Sequence, residues 1–130
     1  MLHKVLQMQS LVNIHNTLQE QSPKTIRREL LDDINWDDRI IGIKGFRGVG
    51  KTTFLVSIVK ERFLNDKTCL YVNLNNFYFT KRKIVSFVDE FYKTGGKTLI
   101  FDQIHKYPEW ASELKTCYDN FPELKIIFSA

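Results

Sequence analysis

The chain has 130 residues, 43% of them hydrophobic and 26% charged, with a net charge of +4. That length suits one domain able to bury its own core without disulfides or metals, and the composition excludes a disordered chain. No apolar run approaches the ~18 residues of a spanning helix, and the segment Met1-Leu2-His3-Lys4-Val5-Leu6-Gln7 holds no signal-peptide core. The two cysteines, Cys69 and Cys117, lack CxxC spacing and read as reduced thiols of a cytoplasmic protein. A mild positive charge suits a nucleic acid and a polyanionic nucleotide equally, so it decides nothing.

Along residues 1–22, Val5, Met8, Val12, His15 and Leu18 recur at helical spacing. The pattern predicts an amphipathic helix packed on the main domain, with partner binding as the alternative. Ser22-Pro23 breaks it, and a short helix over 24–34 follows, with Ile26, Leu30 and Leu31 on one face. Ile40-Ile41-Gly42-Ile43 is a short β-branched run suited to a strand buried on both faces, with bounds of about 39–44. After a Gly-rich turn, Leu55, Ile58, Val59 and Phe63 mark a helix over 53–65. Further strands are expected at 68–74, 97–102 and 124–129. Between them lie a helix capped by Thr80, with Ile84, Phe87, Val88 and Phe91 inward and ended by Gly95-Gly96, and a second opened by Pro108 that buries Trp110, Leu114 and Cys117 or Tyr118. Strands alternating with helices predict an α/β fold, a parallel sheet built from right-handed crossovers.

The turn carries chemistry. Gly45-Phe46-Arg47-Gly48-Val49-Gly50-Lys51-Thr52 satisfies G-x-x-x-x-G-K-[ST] at every fixed position. Glycines permit positive φ, so successive N–H groups can point at phosphate oxygens. The following helix adds its positive end. Lys51 supplies a mobile charge for the β and γ phosphates, and Thr52 a hydroxyl for Mg²⁺. A chance match falls in roughly one chain of this length in a few hundred, and here a strand precedes and a helix follows it. The segment from Gly45 to Thr53 therefore reads as the cradle for a nucleoside triphosphate, with ATP and Mg²⁺ as cofactors.

Such a loop needs an acidic residue at the end of a neighbouring buried strand to hold the metal. Leu99-Ile100-Phe101-Asp102 provides it, at the sheet edge where open α/β folds bind ligands. In hydrolytic members of the P-loop fold a glutamate commonly follows and serves the attacking water. Gln103 stands there instead, isosteric but unable to accept a proton, so hydrolysis is expected to be impaired while ATP binding is kept.

The stretch from Ile40 to Thr53, the segment Leu99-Ile100-Phe101-Asp102-Gln103-Ile104-His105-Lys106-Tyr107-Pro108-Glu109-Trp110, and the runs 113–119 and 124–129 resemble AAA+-like ATPases of bacteria and archaea that carry a C-terminal nuclease-like domain. The resemblance implies a three-layer P-loop NTPase fold with strand order 5-1-4-3-2, truncated here before the fifth strand and the helical lid. Residues 1–36 become an N-terminal helical extension and 37–130 a partial nucleotide-binding domain. A polar sensor at the end of the fourth strand maps to Ser129. The first strand is then expected to expose an edge, covered by the N-terminal helices or by self-association. The apolar run ending at Ala130 points to a piece of a longer protein, whose lid and C-terminal domain are its expected partners.

Two alternatives stay open: a nucleotide-dependent interaction module without turnover, and a nucleic-acid-binding fragment resting on Lys81-Arg82-Lys83 beside Asn75-Asn76-Phe77-Tyr78-Phe79. His105 as a substitute base, and Trp36 and Trp110 as anything but packing residues, carry less weight. No membrane partner is expected.

Overall fold

The computed structural model describes residues 9–17, 34–43 and 49–129. Helix α1 covers residues 9–17, and the second expected N-terminal helix lies outside the described residues. Strand β1 (Ile40–Ile43) leads to α2 (Val49–Arg62), β2 (Cys69–Asn73), α3 (Ile84–Lys93), β3 (Thr98–Asp102), α4 (Trp110–Asn120) and β4 (Lys125–Ser129). The four strands are parallel and ordered β1-β4-β3-β2.

Side chains alternate between the two faces of a strand, and this sheet is apolar on both. Leu70, Val72, Leu99, Phe101 and Ile126 join a core with Phe87, Val88 and Phe91 of α3 and Leu114 and Cys117 of α4. The opposite parity, Ile41, Ile43, Tyr71, Ile100 and Ile127, packs on Leu55, Ile58 and Val59 of α2. Asp102 and Ser129 carry the parity of Ile100 and Ile127, so the alternation delivers both to the α2 face.

The expected start of α3 needs correction. Thr80 does not cap it: Phe77–Thr80 form a 3-10 turn capped by Asn76, whose side chain accepts from the Tyr78 N–H. The helix begins at Ile84 after Lys83, which makes no side-chain cap. Glu113 of α4 supplies the carboxylate instead, accepting from the Val85 N–H at 3.1 Å, where the helix dipole favours an anion. At the other end the Gly95 N–H reaches the Tyr92 carbonyl and the Gly96 N–H the Phe91 carbonyl, a Schellman ending. Gly95 adopts φ +93°, and a Cβ on Gly96 would lie 2.3 Å from the Phe91 ring, so both glycines are required. Pro108 precedes α4 by two residues rather than opening its first turn, and Glu109 turns the chain at φ 62°. At the far end of α4, the Arg39 guanidinium donates to the Tyr118 and Phe121 carbonyls at 2.6 and 3.0 Å. Tyr118, one of two candidates for burial, is exposed, and Cys117 is the buried one.

The described N-terminal helix lies at the opposite edge from the one expected to need cover. Leu11 packs into the α3–α4 core, and the His15 Nδ1 accepts the Tyr71 N–H of edge strand β2 at 2.9 Å. Burial holds the His15 imidazole below its usual 6.5. A depressed pKa means that the folded state resists protonation. Docking of α1 is therefore fully effective above pH 6.5 and weakens as pH falls below it. The hydrogen-exchange protection factor of the Tyr71 amide is expected to drop between neutral pH and about pH 5. Constant protection across that range would count against this role of His15.

Candidate functional site

All four strands end on one side of the sheet, and α2 begins there. Val49, Gly50 and Lys51 form the first turn of α2. Gly45, Phe46, Arg47 and Gly48, which connect β1 to that helix, lie outside the described residues. The chain therefore runs strand, Gly-rich connection, helix, the context in which backbone N–H groups converge on an anion.

Opposite the first turn of α2 stands Asp102, fully buried at the end of β3. Its Oδ2 accepts the Thr52 hydroxyl at 2.6 Å and also the Tyr71 hydroxyl, and its Oδ1 accepts the Ser129 hydroxyl at 3.2 Å. Three of the sequence-selected residues thus meet, Thr52 from α2, Asp102 from β3 and Ser129 from β4. Thr53, the last residue of the expected cradle, is exposed on α2 and its carbonyl accepts from the buried Ser57 hydroxyl. Burial, then the Asp102 carboxylate beside it, pushes the Tyr71 phenol above its usual 10, so it remains a donor. A buried carboxylate is costly unless paired or fully hydrogen-bonded, and hydroxyls from three elements satisfy this one. Such an arrangement presents hard oxygen atoms in a small space.

Gln103 follows directly, in the left-handed region at φ 53° and ψ 41°. A non-glycine residue held there stores strain of about 1–3 kcal/mol, a feature that concentrates at functional positions. His105 is exposed on the 3-10 turn over Ile104–Lys106. Among the described residues no group of three His, Cys, Asp or Glu side chains is placed to hold a metal. Both thiols are buried and raised by that burial, Cys117 to about 12, so neither is a nucleophile at neutral pH. No described helix is long and apolar enough to cross a membrane.

A family model described as an AAA domain matches residues 37–130. The chain belongs to this AAA domain family. Its four-stranded parallel sheet is that of a P-loop NTPase-like fold, and the AAA domain is a nucleotide-binding, ATPase-like module. No curated protein and no solved structure matches the chain significantly.

Tyr71 of the polar cluster, and His15 bonded to its backbone, are not legible as site residues. Tyr71 reads as one more residue of the second strand, and His15 as one of the domain-facing positions of the amphipathic helix. The signal for Tyr71 was its parity, shared with Asp102 only once the strands are aligned: Tyr71 pairs with Ile100, two residues before Asp102. No local pattern identifies His15, because its partner lies 56 residues away.

Proposed function

We propose that the AAA domain binds MgATP, with the segment from Gly45 to Thr53 around the phosphates, and that Gln103 makes hydrolysis slow. One observation carries this reading: the 2.6 Å contact between Thr52 and Asp102, residues 50 positions apart. That hydroxyl and that carboxylate are the pair a phosphate-bound divalent cation needs, one from each side of the site. The donor set fits Mg²⁺ in particular. It is all oxygen and too small to be a closed cage, and Mg²⁺ keeps waters and takes further ligands from substrate phosphates.

In this reading Lys51, at the start of α2, neutralises the β and γ phosphates, while Gly48 and Gly50 allow the backbone N–H groups to face them. Arg47, Phe46 and Val49 fill the variable positions of the cradle. Asp102 and Thr52 hold the cation, which when bound would draw charge from the phosphate oxygens. Ser129 takes the sensor role toward the nucleotide's far phosphate, a reading supported by its hydrogen bond to Asp102. Gln103 can orient a water but cannot take its proton. Binding without turnover then favours the use of nucleotide state as a switch for a partner.

A nucleic-acid function has weaker support. A cleft of about 830 Å³ beside the 3-10 turns is lined by Lys81, Arg82, Lys83 and Lys106, but Arg82 is paired with Glu90 at 3.1 Å, and Glu109 and Glu113 line the cleft too and offset the remaining charge.

Calorimetric titration with ATP, with and without Mg²⁺, tests the main reading. The unmodified chain is expected to bind more tightly with Mg²⁺, and Lys51→Ala is expected to lose 100-fold or more in affinity, on the order of 3 kcal/mol. Equal affinity in the two proteins would refute the phosphate-cradle assignment.

A further inference from the structure

We propose that Tyr71 is a positioning residue for the Asp102 carboxylate, and that His15 of α1 holds Tyr71 at the height this requires; the assignment rests on the MgATP reading above. The Tyr71 phenol donates to Oδ2 of Asp102, the same oxygen that accepts from Thr52. Ser129 engages Oδ1 from the other side. A carboxylate offers about four lone-pair sites on two oxygens. With donors from α2, β2 and β4 occupying three of them, the group cannot rotate without breaking bonds to several elements at once.

The three donors are not equivalent. A hydroxyl that donates to the carboxylate keeps its own lone pairs free, so Thr52 can serve a cation while still bonded to Asp102. Ser129 lies one strand away on β4, at a longer 3.2 Å. Tyr71 is the donor whose rigid ring is buried between the sheet and α2. It fixes the carboxylate from a position that no ligand needs to displace.

The main chain of Tyr71 is fixed as well. Among the described residues strand β2 pairs with β3 on one side only, and edge strands are where a sheet opens first. The Tyr71 N–H points off that edge and is taken by the buried His15 Nδ1 at 2.9 Å. Two hydrogen bonds thus join α1, which precedes the family-matched segment, to the carboxylate: His15 to the Tyr71 backbone, and the Tyr71 phenol to Asp102. A tyrosine kept only for packing would also find a partner for its hydroxyl, and the experiment must separate the two roles.

ATP affinity measured with Mg²⁺ and with EDTA separates them, in the unmodified chain, Tyr71→Phe, His15→Phe and Asp102→Asn, each with a melting curve. Tyr71→Phe keeps the ring and removes only the donor. It is expected to lower the affinity measured with Mg²⁺ by about 10-fold or more, the usual effect of losing a hydrogen bond to a metal-binding carboxylate. In EDTA its affinity should stay within about two-fold of the unmodified chain, because no cation is then present to be mispositioned. His15→Phe should give a smaller loss of the same sign, and Asp102→Asn sets the full size of the Mg²⁺ contribution. A Mg²⁺ contribution that survives intact in Tyr71→Phe would overturn the assignment alone. A folded His15→Phe protein with unchanged Mg²⁺ dependence would overturn the part played by α1. An unmodified chain that binds ATP equally with and without Mg²⁺ would bring down the MgATP reading and this assignment together.

Discussion

Gln103→Glu is expected to raise the rate of ATP hydrolysis by about 10²–10⁴-fold, the range that a positioned general base contributes. The substitution changes one amide to a carboxylate on a side chain of nearly the same shape, and residue 103 already follows the buried Asp102 directly. Its left-handed backbone, at φ 53°, is imposed by the tight passage from β3 into the 3-10 turn, so glutamate should occupy the same place as glutamine. ATP affinity should stay equal or weaken slightly, because a second negative charge then faces the terminal phosphate. Phosphate release at saturating MgATP, compared in otherwise identical proteins, decides the matter. Equal rates would show that residue 103 does not limit hydrolysis. A faster rate with unchanged affinity would mean that the native glutamine separates holding ATP from consuming it.

The largest effect on stability is expected at Phe87. This side chain is fully buried on α3, with Tyr78, Phe79, Phe91 and Phe101 around it at centroid distances of 5.7, 5.3, 6.4 and 6.5 Å. It ties the 3-10 turn after β2, its own helix and β3 into one contact. Phe87→Ala removes the transfer energy of a buried ring and leaves a cavity whose walls come from three elements and cannot all relax inward. The expected loss is about 3–5 kcal/mol, a large share of the ~5–15 kcal/mol that holds a domain of this size folded. Chemical denaturation should show the midpoint falling sharply. A midpoint within experimental error of the unmodified chain would mean that the ring cluster is not the centre of this core.

How far the sequence could be read depended on the distance over which each interaction acts. The apolar face of α3 was legible because Ile84, Phe87, Val88 and Phe91 repeat at the period of a helix, and all four are buried. The start of that helix was misread because its capping carboxylate, Glu113, lies 28 residues from the N–H it serves. Thr80 offered a local cap, and the distant one prevailed. Asp102 was legible as a strand-ending acid in the right order after a phosphate loop. The hydroxyl from β2 that engages it was not.

Taken alone, the sequence determined the alternating α/β order, the phosphate-loop pattern from Gly45 to Thr52, the acid at position 102 and the glutamine at 103. These are statements about neighbours along the chain, where backbone preference, period and side-chain chemistry act within one turn or one strand. Only the tertiary structure decided that Thr52, Tyr71, Asp102 and Ser129 form one cluster, and that α1 closes the β2 edge through His15. Those contacts depend on strand order, register and the face each residue presents. Packing the whole sheet sets all three, and no segment shorter than the domain contains them.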